Sequence, residues 1–320
     1  MSSDATNPIL VIGATGRHGN TGAHLVARLR EEGRAVRVLS RGLNDRTAQL
    51  QSLGAEVVVG DLQDRSSLLP ALADVDLAYF AYPIAAGVVP AAANYAAAVR
   101  EVGRAPRTVV MSMGPAHKDH PSNLGKSQWL AEQVLEWAGL DLLILRVTAL
   151  FQENLLVLHS HSIRHERAFR NSFGSVAMPW ISGRDAAELA VAGLLHPERF
   201  EATVTYPQGS EHYSHADIAA MLSEVLGTPT SFEPVDQHRW RQELTELATI
   251  DDSYVVNPAM AQHISSIGHA VSVGAPARPA DWAALQALTG RTPVTMREFL
   301  EAHRDAFRPL NATASSTAAR

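Results

Sequence analysis

The chain has 320 residues, with 27 Lys and Arg against 33 Asp and Glu, a formal charge of -6 and no cysteine. That balance gives no electrostatic reason to bind nucleic acid or an anionic membrane, and the missing thiols exclude disulfides, thiol catalysis and zinc-thiolate sites. With 46% hydrophobic and 19% charged residues it reads as an ordinary globular protein. It has no basic-then-apolar leader and no run long enough to span a bilayer, so a cytoplasmic location is expected.

Residues 9–12 predict a buried strand that runs into Gly13-Ala14-Thr15-Gly16-Arg17-His18-Gly19, with a helix starting near Asn20. The glycines let the backbone turn tightly and approach a pyrophosphate, while the first helical amides point at phosphate oxygens. The helical pattern Leu25, Val26, Leu29 and a second apolar run at 35–39 complete a unit of about thirty residues, the context that such a loop needs. A connector that binds nothing is the alternative reading.

The second strand ends in Leu39-Ser40-Arg41, where NAD readers usually place a carboxylate that accepts from the ribose hydroxyls. A guanidinium attracts a 2′-phosphate that a carboxylate would repel, so Arg41 favours NADP, with Arg17 as a second cationic partner. Two solvated surface arginines are the plainer alternative, and Asp45, a little further on, leaves NAD open.

Strand-like runs at 56–59, 75–81, 108–111 and 142–147 alternate with helical patterns at 66–73, 91–102 and 127–138. Such alternation builds a parallel sheet covered on both faces, an α/β doubly wound (Rossmann) dinucleotide-binding domain over residues 1–150. Further on come a helical segment at 154–170, Pro179-Trp180-Ile181-Ser182, a helix at 184–195, a strand at 202–206, a helix at 214–226 and an edge-like run at 230–235. These predict a smaller, mostly helical substrate-binding domain over 151–310, with segments near 176–206 returning to the main sheet. The tail, 311–320, is expected to be disordered.

Gly13-Ala14-Thr15-Gly16-x-x-Gly19, Arg41, Gly60-Asp61-Leu62, Lys126-x-x-x-x-Ala131-Glu132, Leu145-Arg146 with Asn154, and the closing run from Gly290 to Phe299 together resemble the NmrA-like group of atypical short-chain dehydrogenases/reductases. The resemblance extends over nearly all of residues 8–307. It implies NADP(H) held by Gly13, Thr15, Gly16, Arg17, His18, Gly19, Arg41, Asp61, Leu62, Ala81, Tyr82, Ser112, Lys126, Val147, Thr148 and Leu150. Members include quinone and ketone reductases, benzylic ether reductases and dinucleotide sensors that do no chemistry, so the resemblance implies the cofactor more firmly than a reaction. The expected function is NADPH-dependent reduction of a hydrophobic aromatic ketone or quinone. The rivals are a non-catalytic NAD(P)(H)-sensing regulator and an isomerase or lyase that retains its cofactor; a homodimer is left open.

The broader superfamily holds a proton-donating tyrosine four residues before the lysine. Here that position is Ser122, a far poorer acid, so reduction needs another proton source. Lys126, close to a helix start, is expected to bind the nicotinamide ribose and to polarise a carbonyl; otherwise it is a solvated lysine. Ser112, ending the fifth strand, is expected to hold a substrate carbonyl or to satisfy a turn. His117 and His120 on the following loop titrate near neutrality and are substitutes for the absent tyrosine, as is Tyr82 after the fourth strand. His159, His161 and His165 form the densest histidine group, but the pattern lacks the His-Glu-x-x-His arrangement, and no metal is expected. Trp129 and Trp137 share a helix face and are expected to pack in a core or interface. Phe151, Phe169, Phe173, Met178 and Trp180 are expected to roof the cleft, which would suit a flat apolar substrate.

Overall fold

The run at residues 9–12 forms strand β1 (Ile9–Ile12), with all four side chains buried, because parallel strands covered by helices on both faces have no solvent side. A computed structural model describes residues 7–16, 19–114, 116–250 and 255–309. Strands β2 (Val36–Ser40), β3 (Glu56–Val59), β4 (Leu77–Phe80), β5 (Arg107–Met113) and β6 (Leu142–Val147) follow, then β7 (Leu150–Phe151), β8 (Ala168–Asn171), β9 (Met178–Ile181), β10 (Val204–Thr205), β11 (Glu211–Tyr213) and β12 (Ser231–Pro234). The helices that position the site are α1 (Thr21–Glu31), α2 (Asp45–Ser52), α3 (Leu69–Leu72), α4 (Val88–Val102), α5 (Asn123–Trp137), α6 (Ser160–Glu166), α7 (Gly183–Leu195), α8 (His215–Leu226), α9 (Gln237–Ile250) and α10 (Pro258–Ser272).

The main sheet runs β3-β2-β1-β4-β5-β6-β10, with every neighbouring pair parallel. Its order reverses between β1 and β4, so the carboxyl ends of these two strands open the crevice in which such folds bind ligands. Leu25, Val26 and Leu29 of α1 pack with Ala186, Leu189 and Ala190 of α7 on one face. Ala91, Ala92 and Tyr95 of α4 pack with Ala131 and Leu135 of α5 on the other.

Three segments differ from the sequence expectation. Helix α5 begins at Asn123, not near residue 127, because the Ser122 hydroxyl caps it by accepting from the Gly125 amide at 3.0 Å. The helix expected over 154–170 starts as a π-turn, Leu155–His159, and ends at Glu166. Arg167 then takes a left-handed φ of 57°, and the chain continues as β8, which pairs parallel with β12. The strand expected at 202–206 is the two-residue β10, which joins the main sheet beside β6. Arg17, His18 and the tail 311–320 lie outside the described residues.

Candidate functional site

The site grows from backbone alone at the sheet reversal. Gly13, directly after β1, has a φ of 90°, and a Cβ placed there would lie 2.8 Å from the Ala81 carbonyl oxygen after β4. Only glycine fits, on conformation and on space. Gly16 donates its amide to the Gly13 carbonyl at 3.1 Å, closing the turn. Gly22, in the first turn of α1, would drive a Cβ to 2.6 Å from the Gly13 oxygen, so the helix start sits directly on the loop. The sequence reading gave Gly22 no role; its spacing of three from Gly19 was the available signal. Gly19 abuts the Phe151 ring, and Gly183 at the start of α7 abuts the Gly19 carbonyl so closely that no side chain fits there. The second half of the chain thereby clamps the glycine loop.

Arg41 follows β2 and is exposed. Arg46, in the first turn of α2, donates from one guanidinium nitrogen to the carbonyls of Thr15 and Gly16, both at 3.2 Å. Two guanidinium groups therefore stand on the β2 side of the loop, and the second was missed because Arg46 meets the loop only in three dimensions. Asp61 accepts from the Gln63 amide at 2.9 Å, and the Leu62 carbonyl accepts from Asn94 at 2.9 Å, which fixes the turn after β3. Tyr82 receives a hydrogen bond from Gln63 at 2.9 Å and donates to the Ala86 carbonyl at 3.2 Å. Burial raises its phenol above the ordinary range, so its proton is held within its own loop and released reluctantly.

At the far side of the crevice, Val147 accepts from the Gly114 amide at 2.7 Å, and Thr148 donates from its hydroxyl to Pro207 at 2.9 Å. Leu150 opens β7. Ser112, buried at the end of β5, donates to Glu132 on α5, whose other carboxylate oxygen accepts from Arg146 Nε at 3.0 Å. Arg146 also donates to the Tyr206 hydroxyl at 2.8 Å. Burial pushes the Glu132 carboxyl up while Arg146 and Ser112 pull it back.

Lys126 lies in the first turn of α5 with its side chain exposed. Next to it, His120 and Ser122 are buried, and Ser122 Oγ lies 2.6 Å from Nδ1 of His263 on α10. His117 is exposed on the same loop. Burial lowers the His120 imidazole, helped by the positive charge of Lys126.

The residues expected to roof the cleft are placed differently. Phe169, Phe173 and Trp180 are fully buried around His215. The His215 ring stacks on Phe173 and Phe232, with centroids 5.1 and 5.4 Å away. Burial pushes His159 down to about 3 and His215 well below the usual range, so both are neutral members of an aromatic core. His161 and His165 are exposed, with ring centroids 4.3 Å apart. Of the two tryptophans on α5, Trp137 is 72% exposed. Phe151 is the expected roof residue that touches the loop.

Comparison with known proteins places these features among relatives. The sequence description that matches is the NmrA-like family, over residues 5–275. The chain is 28% identical over 309 residues to the NAD(P)H azoreductase of Xenophilus azovorans, covering 93% of this chain and 99% of that protein. Triphenylmethane reductase of Citrobacter sp., solved with NADP(H), has a TM-score of 0.72 at 20% identity, over 92% of this chain and 99% of the other. The NADPH complex of the quinone oxidoreductase QOR2 from Escherichia coli has a TM-score of 0.73 at 18% identity, over 92% and 99%. At these identities the solved structures establish the shared fold.

Proposed function

The chain belongs to the NmrA-like family, and from that membership and the cleft we propose that it is an NADPH-dependent reductase of hydrophobic aromatic ketones or quinones. The observation that carries the reading is the bare-backbone contact of Gly13 with Ala81, where a Cβ would come within 2.8 Å of a carbonyl oxygen. A loop stripped of side chains at the sheet reversal, with the start of α1 packed on it, fits a pyrophosphate.

Arg41 and Arg46 select the phosphorylated adenine ribose, since a 2′-phosphate accepts from both guanidinium groups. Asp61, Leu62, Ala81 and Tyr82 line the adenine side; Ser112, Val147, Thr148 and Leu150 line the nicotinamide side. NADPH, when bound, supplies the hydride. Lys126 binds the nicotinamide ribose and places a positive charge beside the substrate oxygen as negative charge develops there. His120 is the group that supplies the proton in place of the absent tyrosine. An azoreductase among the relatives supports an aromatic electron acceptor over a sugar or an acid.

The test is direct. Purified protein is mixed with NADPH and with a naphthoquinone, an aryl ketone and an azo dye in turn. Oxidation of NADPH with the quinone or the ketone is expected. No oxidation with any acceptor, while NADPH still raises the melting temperature by mass action, would identify a nucleotide-sensing protein instead.

A further inference from the structure

Ser122 Oγ has three neighbours: the Gly125 amide at 3.0 Å, His120 Nδ1 at 3.0 Å and His263 Nδ1 at 2.6 Å. The Ser122 amide also donates to His120 Nδ1 at 2.9 Å. All three side chains are buried, with Ser122 at 0%, His120 at 3% and His263 at 5% exposure. The two imidazoles stack with centroids 5.6 Å apart.

The hydrogens can be counted. His120 Nδ1 receives an amide N–H, so it carries a lone pair and no proton. If Ser122 gave its hydroxyl proton to His263, its own lone pair would face that of His120 at 3.0 Å. Only one arrangement makes all four contacts of the Ser122 amide and Oγ hydrogen bonds. His263 Nδ1–H donates to Ser122 Oγ, the Ser122 hydroxyl donates to His120 Nδ1, and the proton of neutral His120 sits on Nε2. That Nε2 is buried and has no hydrogen-bond partner among the described residues. A buried donor left without a partner costs about 1–3 kcal/mol, a cost that an incoming acceptor would remove.

We propose that His263 and Ser122 form a proton relay that restores the proton of His120 during turnover, making helix α10 part of the reductase site. The proposal rests on the reductase reading. Hydride reaches the substrate carbonyl carbon, and the oxyanion takes the Nε2 proton of His120. His120 Nδ1 takes the Ser122 hydroxyl proton, Ser122 Oγ takes the Nδ1 proton of His263, and His263 regains one proton from water, which is left as hydroxide. The Ser122 carbonyl, 3.3 Å from His120 Nδ1, accepts from that nitrogen once it is protonated. Lys126 faces His120 from α5 and the His117 imidazole faces it from its own loop, and both disfavour its charged form. His263 and Ser122 are positioning residues; of the three, only His120 meets the substrate.

The experiment labels histidine with nitrogen-15 and reads ring tautomers by NMR in the whole protein without substrate, for wild type, H263F and H263N. The wild type is expected to show His120 protonated on Nε2 and neutral around neutral pH. H263F removes the proton that replaces the one passed on by Ser122, so kcat should fall about 10- to 100-fold with the KM for NADPH unchanged, while the Ser122 amide still keeps His120 in its Nε2–H form. H263N keeps an N–H where Nδ1 stood, but an amide passes no proton on, so its kcat should stay as low as that of H263F. His120 protonated on Nδ1 in the wild type, or H263F or H263N turning over like the wild type, would overturn the relay. A protein that reduces nothing, yet shows His120 protonated on Nε2, would refute the reductase reading and keep the hydrogen-bond assignment.

Discussion

Ser112 on β5 gives its one hydroxyl proton to Glu132 on α5, a carboxylate with no exposed surface. Arg146 favours the charged form of that carboxylate from the other side, against its burial. Ser112 therefore meets the crevice with lone pairs, suited to accept from a ribose hydroxyl or a carboxamide, and not with the donor that a substrate carbonyl would need. Removing either partner has a graded cost. Glu132→Gln leaves the Arg146 guanidinium, 13% exposed, without its counter-ion and should destabilise by about 3–5 kcal/mol. Ser112→Ala loses one hydrogen bond to a charged group, about 1.5–3 kcal/mol. Urea unfolding should rank the variants in that order, and the reverse order would mean that the pair is not ionised.

Gly13 and Gly33 both have positive φ, 90° and 71°, but nothing lies within 4 Å of a Cβ built on Gly33. Gly33→Ala should cost about 1–2 kcal/mol through conformation alone and leave NADPH binding intact. Gly13→Ala also forces β1 and β4 apart at the glycine loop and should abolish binding. Calorimetric titration of the two variants checks this; retained NADPH affinity in Gly13→Ala would argue against the loop as the pyrophosphate site.

With Arg41 holding the 2′-phosphate as proposed, Arg41→Ala should weaken NADPH by about 10- to 100-fold, with NADH nearly unaffected. Arg46→Ala should weaken both nucleotides, because Arg46 also braces the Thr15 and Gly16 carbonyls. Equal losses for NADPH and NADH in Arg41→Ala would remove Arg41 from the phosphate site.

Glu153 accepts from the Gly183 amide at 2.9 Å beside the glycine loop, and burial pushes its carboxyl up to about 7 from 4.5. An acid raised in the folded state contributes stability that is fully present below the unfolded value of 4.5 and lost as pH rises through about 7. At about 1.4 kcal/mol per unit, the loss is on the order of 3 kcal/mol. Glu153→Gln cannot titrate, so its stability relative to wild type should improve as pH rises through that range. A pH-independent difference between the two unfolding curves would show that the carboxyl is not raised.

The first half of the fold was legible because local signals agreed: an apolar run, three glycines and a helical pattern define β1, the loop and α1 within about thirty residues. The capped start of α5 was readable in principle from Ser122, but the apolar periodicity begins later and drew the boundary toward residue 127. What was not legible depends on distant partners. β8 reads as the end of a helix until β12 pairs with it. The cleft-roof assignment of Phe169, Phe173 and Trp180 could not foresee His215 as the ring they enclose. His263 meets Ser122 across 141 residues of chain, and nothing in its own segment marks it.

Equilibrium titration of the wild-type protein with NADPH and with NADH tests the central claim most directly. The account predicts saturable NADPH binding with a Kd at least about tenfold smaller than that of NADH, the worth of one well-placed charged contact. No binding of either nucleotide, or equal affinity for both, would contradict it.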